Sequence, residues 1–208
     1  QAGTLMFVMG GVDYDDYAKL KVRAIECFAQ AKERGEMRNF HGPSVGRLHK
    51  GIINFNMTRI KYSSVDPEQV TAAEVQSRDD VALYARILMD NMPEFKNAYL
   101  LYSGPNLGPR ESRRIKGEYV LTLNDVIENR KFDDAIALGG WPIDYHNPNV
   151  VGGFNDLKTV GIYDIPYRTL LPRNVENLLV AGRCHSVDQM AAASTRVSQT
   201  ASLMGEAA

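Results

Sequence analysis

The sequence of 208 residues lacks any apolar run approaching the roughly 20 residues that a membrane span needs. It also lacks an excess of positive charge, since 24 basic side chains stand against 25 acidic ones. A protein that clamps nucleic acid needs such an excess to displace the counterions of the phosphates. We therefore expect neither a membrane span nor a nucleic-acid partner.

Cysteine is scarce, with Cys27 and Cys184 far apart in the chain. Two thiols without CxxC spacing form neither a zinc site nor a disulfide framework, although one pairing between them stays open. A reducing compartment is the default for such a chain. We therefore expect a cytoplasmic protein, with export of the full-length protein as the alternative.

The sequence contains no GxGxxG, P-loop, GxSxG or HExxH motif. Its four histidines lack the carboxylate spacing of a metal site. The chain therefore carries no complete nucleotide-binding fingerprint and no metal signal. It begins with Gln1 and stops inside a predicted helix, from which we expect it to be a piece of a longer protein.

The first half contains a mixture of strand and helix patterns. Residues 3–12 predict a strand that ends in a Gly-Gly turn, and Asp13 is then expected to cap a helix that ends near Gly35. Residues 40–51 are rich in glycine and histidine and predict a loop. Residues 52–60 alternate apolar and polar side chains, which is typical of a strand with one polar face.

The clearest local signal is the start of a long helix at Asp66. Asp66 as the cap, Pro67 at the first helical position and Gln69 three residues after the cap all favour a helix, which we expect to run to about Met92. Thr122 is expected to cap a second, short helix in the same way.

The last part of the sequence adds the features of an α/β sheet. Residues 134–138 predict a strand and 163–171 an extended segment. Leu178–Ala181 is wholly apolar, as are strands buried in a parallel sheet, and a helix is expected from about Ala191 to the end. Because strands and helices mix without strict alternation, we predict an α+β fold. It would combine a mixed sheet and packed helices with the terminal strand and helix of an α/β domain.

Two charged segments are candidates for chemistry. Arg110 and Arg113 lie in a basic stretch whose guanidinium groups could hold a carboxylate or phosphate, or could simply form a solvated face. His146 follows Asp144 closely, so it could be a poised general base or a loop histidine with a local hydrogen bond. Residue types alone leave both questions open.

A third candidate is the turn at Gly182, directly after the predicted buried strand. A glycine there lets a ligand approach the backbone, and a helix beginning just beyond it offers free N–H groups to an anion. A plain strand–loop–helix crossover explains the same pattern equally well.

Several motifs in collinear order resemble one family, the bacterial FAD-dependent oxidoreductases, which are distantly similar to the fumarate reductase and succinate dehydrogenase flavoproteins. The resemblance is to the C-terminal half of these proteins and is strongest from Leu107 onward. It rests on residues 107–117, 119–122, 142–146, 165–168, 171–172, 177–184, 194–197 and 205–208.

This resemblance implies the domain organisation. Residues 1–165 would be mostly the substrate-binding insertion, and 166–208 the returning C-terminal segment of the FAD-binding domain. The partner region would be the N-terminal GxGxxG segment of the same chain, which the 208 residues lack. The resemblance therefore implies an FAD enzyme that acts on a small organic substrate, which can be an anion. The piece alone would be inactive.

The resemblance also implies roles for individual residues. The flavin or its ribityl chain would be contacted by Gly182, Arg183 and Cys184. Ser194 and Thr195 would lie near the helix start that faces the isoalloxazine. His146 would be the acid–base residue of a hydride transfer to or from flavin N5, and the anion clamps would be Arg110, Arg113 and Arg196.

A different hypothesis is a non-catalytic module that binds carbohydrate or protein through Trp141, Tyr145 and Tyr163. The predicted strand at Leu178–Ala181 is apolar on both faces, so it should have neighbouring strands on both sides. In the full-length flavoprotein some of these would come from the missing nucleotide-binding region. We therefore expect the piece either to form a homodimer through 166–208 or to leave that segment loosely ordered.

Overall fold

The computed structural model describes residues 2–37, 43–147 and 161–208. The chain forms two compact units. The first contains the described residues up to Pro109, and the second contains Arg110–Asn147 and the described residues from 161 onward. The predicted boundary near residue 165 divides a substrate-binding part from an FAD-binding part. Such a division by function is not tested by the compactness of the units, so it stays a prediction.

The first unit is a four-stranded antiparallel sheet with two long helices. The sheet has the order β2-β3-β1-β4, and all three pairings are antiparallel. Its elements in chain order are β1 (Phe7–Gly10), α1 (Tyr17–Glu33), β2 (Ser44–His49), β3 (Ile52–Asn56), α2 (Pro67–Asn91), a 3-10 turn (Pro93–Phe95) and β4 (Tyr99–Ser103).

Aromatic rings join the sheet of this unit to its helices. Phe7 of β1 stacks on Phe55 of β3 with the ring centroids 5.0 Å apart. Phe28 of α1 meets Phe55 and Tyr84 of α2 edge-on, at 6.1 and 5.9 Å. These pairs cover the inward face of the sheet with the apolar stripes of both helices, which is how an amphipathic helix stabilises a sheet.

Local capping determines where the helices of the first unit begin. The Asp66 side chain accepts from the backbone N–H groups of Glu68 and Gln69, and Pro67 is the first helical residue, which confirms the predicted start of α2. The predicted cap of α1 was wrong by one turn. Asp16 rather than Asp13 accepts from the first free N–H groups of that helix, so α1 begins at Tyr17.

The loop predicted over 40–51 is also corrected, because residues 44–49 form strand β2. This strand lies at the edge of the sheet and pairs with β3, and Val45 is its buried residue. An edge strand buries little, so it tolerates the glycine and polar residues that indicated a loop. The part of the prediction at 40–42 lies outside the described residues.

The second unit is smaller in its regular structure. Its elements are α3 (Leu123–Ile127), β5 (Ala135–Gly139), β6 (Tyr163–Pro166), α4 (Gln189–Thr195) and α5 (Ser198–Ala207). β5 pairs antiparallel with β6. Thr122 caps α3 in a capping box with Asp125, and β5 lies where a strand was predicted. The predicted α+β class is confirmed, with both sheets antiparallel.

The terminal strand and helix differ from the prediction. Leu178–Ala181 forms no strand, and Leu178 is 45% exposed, because no strand lies beside it among the described residues. Its Val180 N–H bonds instead to the Leu170 carbonyl. The single helix expected from Ala191 is two helices, since the backbone turns extended at Val197.

Candidate functional site

The loop that leaves β5 carries a charged cluster in the second unit. The two carboxylate oxygens of Asp144 lie 2.9 and 3.0 Å from His146 Nε2. Arg196, which ends α4, places Nη2 2.7 Å from the Asp144 carbonyl and 3.1 Å from its carboxylate. Asp144 therefore connects His146, in the same loop, to Arg196 at the end of helix α4.

The hydrogen bond between Asp144 and His146 fixes the tautomer of the ring. A carboxylate only accepts, so Nε2 must carry the proton and donate it. In the neutral ring Nδ1 is then the acceptor, and it is the atom that would take up a proton. This is the arrangement by which a carboxylate orients a histidine base.

Asp144 stays ionised although it is largely enclosed. Burial raises the pKa of this carboxyl, but the hydrogen bond from His146 and the positive charges of His146, Arg196 and Arg110 outweigh it, so the pKa lies below its ordinary value. At Arg196, by contrast, burial is the stronger influence. Its burial lowers the pKa of the guanidinium more than Asp144 raises it.

Cations outnumber carboxylates around this cluster. Arg110 acts electrostatically on Asp144, while Arg183 and Glu111 act on Arg196. Three guanidinium groups thus share the region with two carboxylates. The excess positive charge favours an anionic ligand.

Ser194 and Thr195 point into the protein. Both are fully or nearly fully buried in the last turn of α4 rather than at a helix start. Ser194 Oγ donates to the Trp141 carbonyl and lies 2.6 Å from the Tyr163 hydroxyl. Thr195 Oγ1 lies 3.0 Å from His185 Nε2. Tyr163 is fully buried too, which removes it from the aromatic platform of the binding-module hypothesis.

His185 is a residue that sequence reasoning gave little weight. It is completely buried, and burial lowers its pKa to about 4, with a smaller contribution from the charge of Arg114. The ring is therefore neutral at pH 7. No local pattern in the sequence indicates this, because its burial results from the packing of α4 against the preceding turn.

The turn at Gly182–Cys184 is accessible. It is a short 3-10 turn in which Arg183 and Cys184 are exposed, and Gly182 has φ +79°. A Cβ at Gly182 would meet only Ala201 at 3.9 Å, so the left-handed backbone and not crowding is what requires glycine here. The turn therefore places the Arg183 and Cys184 side chains at the surface of the second unit.

The structure brings some of the predicted site residues together and leaves others apart. The cluster of His146, Arg196 and Asp144 includes Arg110 and Arg183 through their charges. Arg113 is exposed on the surface.

Within residues 2–37, 43–147 and 161–208, no group of three or more histidine, cysteine, aspartate or glutamate side chains could hold a metal ion. Both cysteines are free thiols, and no described helix could cross a membrane.

Comparison with known proteins gives one family. The family model described as FAD dependent oxidoreductase matches residues 1–208, the full length of the chain. No curated protein and no solved structure matches it.

Proposed function

We propose that this chain, which belongs to the FAD dependent oxidoreductase family, supplies the acid–base pair and the anion-binding groups of a flavin-linked redox site. The observation that carries the proposal is the Asp144 carboxylate, which holds His146 and Arg196 together from positions about fifty residues apart. The substrate would be a small organic anion.

His146 is the proton carrier of this proposal. FAD, when bound, supplies a hydride acceptor or donor at flavin N5 for a substrate carbon. A hydroxyl or amine that is oxidised to a carbonyl or imine must also release a proton, and His146 Nδ1 would take it. Asp144 keeps the ring in the required tautomer and stabilises the imidazolium once the proton has moved.

The arginines of the cluster would bind the substrate anion. Forked guanidinium groups hold a carboxylate in two parallel hydrogen bonds. Arg196 uses Nη2 on Asp144, and its Nε is buried with no hydrogen-bond partner among the residues the structure describes. That N–H is a donor which an entering carboxylate could satisfy. Arg110 and the more exposed Arg113 would add charge at the rim.

The cofactor contacts fit only part of FAD. The exposed turn Gly182–Cys184, with the positive charge of Arg183, could lie along the flavin or its ribityl chain. Ser194 and Thr195 are committed to interior hydrogen bonds, so their expected influence on the flavin would be indirect. The ADP half needs a GxGxxG segment that these 208 residues lack. We infer that another region of the protein supplies it and that the 208 residues alone are inactive.

The partner and location proposals follow from the same features. Partly exposed apolar side chains at Leu178–Ala181 would be covered by the missing nucleotide-binding region or by a second copy in a homodimer. Two free thiols, one of them exposed, suit a reducing compartment, and we propose the cytoplasm.

Flavin content tests the proposed function. The full-length protein should purify yellow, with the visible absorbance of bound flavin, and that absorbance should bleach on reduction. The variant Arg183→Ala should retain less flavin, whereas Arg86→Ala, an exposed arginine of the first unit, should retain as much as the parent. A colourless protein that does not respond to added FAD would overturn the proposal.

A further inference from the structure

Helix α4 holds the loop that carries Asp144 and His146 at two points. Ser194 Oγ donates to the Trp141 carbonyl, and two residues later Arg196 Nη2 donates to the Asp144 carbonyl at 2.7 Å. Both acceptors are main-chain atoms. These bonds therefore fix the path of the loop and not just the rotamer of one side chain.

Tyr163 in turn holds Ser194. The two hydroxyl oxygens are 2.6 Å apart, and because the Ser194 proton is used toward Trp141, the Tyr163 hydroxyl must be the donor. Burial raises the pKa of Tyr163 to about 12, so the phenol keeps its proton. Both side chains are fully buried, where a satisfied network is rigid and a broken one is costly.

The ring of Tyr163 also packs against the start of the loop. A Cβ at Gly139, the last residue of β5, would overlap this ring. The same side chain therefore packs on the point where the loop leaves the strand and orients the serine that holds the loop at Trp141. The two restraints are independent, since one is steric and the other is a hydrogen bond.

We propose that Ser194, oriented by Tyr163, is a positioning residue that fixes residues 141–146 and with them the Asp144–His146 pair. The inference rests on the proposed function in one respect, because the position of this pair matters for catalysis only if the pair moves the substrate proton. It gives Ser194 a role in the protein interior instead of a direct flavin contact.

Trp141 makes the proposal measurable, because it is the only tryptophan of the chain. In Ser194→Ala we expect the loop to loosen. The steady-state anisotropy of the tryptophan fluorescence should fall, and quenching by acrylamide should increase. The carboxyl carbon of Asp144, followed by NMR, should titrate with a midpoint shifted upward toward the ordinary 3.8. A serine with a purely structural role would change the stability of the protein without moving that midpoint.

Ser186→Ala is the matched control. Its hydroxyl is as buried as that of Ser194, yet it has no hydrogen-bond partner among the described residues, so its removal should leave fluorescence and midpoint unchanged. Tyr163→Phe removes a single hydroxyl and should change both readings in the same direction as Ser194→Ala, by less.

The outcomes separate clearly. A folded Ser194→Ala whose tryptophan fluorescence and Asp144 midpoint equal those of Ser186→Ala overturns the proposal. If Ser194→Ala does not fold, Tyr163→Phe is compared with Ser186→Ala instead, by the same fluorescence and midpoint measurements. All readings are made on the full chain without added flavin. If the protein never binds FAD, the proposed function is refuted. The positioning role of Ser194 is still decided by the fluorescence and the Asp144 midpoint.

Discussion

Replacing Asp144 with asparagine tests the centre of the candidate site, because it removes one charge and keeps the shape of the side chain. The carboxylate is 24% exposed, and its partners His146 and Arg196 are 10% and 12% exposed. A hydrogen bond to a charged group contributes about 1.5–3 kcal/mol, against about 1 kcal/mol for a neutral one. Losing the charge from two such bonds therefore costs about 2 kcal/mol.

A further cost comes from Arg196, whose guanidinium would be left in a largely enclosed place without its carboxylate. Breaking a fully buried pair costs about 3–5 kcal/mol, so for this partly solvated pair we expect a total loss of about 2–4 kcal/mol. The matched control is Asp134→Asn. Asp134 pairs with Arg168 at the surface, with side chains 30% and 48% exposed, and such pairs contribute less than about 1 kcal/mol.

Urea unfolding of both variants at pH 7 and at acid pH measures the difference. The pKa of Asp144 is depressed in the folded protein, so its contribution to stability is present above the ordinary value of 3.8 and is lost as pH falls through the folded pKa. The destabilisation of Asp144→Asn should therefore shrink in acid. If Asp144→Asn costs no more than Asp134→Asn at pH 7, the charged cluster is not the stable unit that we describe.

Three other predictions concern neighbouring parts of the second unit. Gly139→Ala should lower the free energy of unfolding by about 1–3 kcal/mol in thermal or urea unfolding, because the added Cβ would overlap the ring of Tyr163. Gly140→Ala should cost much less, because the nearest atom to its Cβ is 3.8 Å away. Equal losses would contradict the packing. Burial gives His185 a folded pKa of about 4 against an ordinary 6.5, so as pH falls the unfolded chain binds the proton first. The free energy of unfolding should therefore decrease by roughly 3 kcal/mol as pH is lowered from 6.5 to 4. That slope should disappear in His185→Gln, and its persistence there would assign it to another group. Because apolar side chains at Leu178–Ala181 are partly exposed, the chain should also associate in light scattering or be cleaved by proteases within residues 166–208. A compact monomer with a resistant C-terminus would contradict this.

The sequence by itself was sufficient where the signal is local. The start of α2 depends on Asp66 and Pro67 and their immediate neighbours, so reading a dozen residues was enough. The same holds for the capping box at Thr122 and for the proximity of Asp144 to His146, which are two residues apart. Short-range geometry is set by the chain, and residue types therefore predict it.

Tertiary structure decided what depends on distant partners. β2 is a strand only because β3 pairs with it. Leu178–Ala181 has an apolar, strand-like sequence but forms no strand, because no strand in the described part of the chain lies beside it. A strand satisfies its backbone hydrogen bonds on another strand, so its existence is a property of the pair.

The candidate site divides in the same way. The sequence named Arg196 and Ser194 through a resemblance, but nothing in their neighbourhood showed that one would bond Asp144 and the other the Trp141 carbonyl, more than fifty residues earlier. Those bonds exist because α4 packs beside the loop that leaves β5, and burial then makes each polar group find an interior partner. Local spacing indicated the contact between Asp144 and His146, and the packing of the second unit decided which groups hold it.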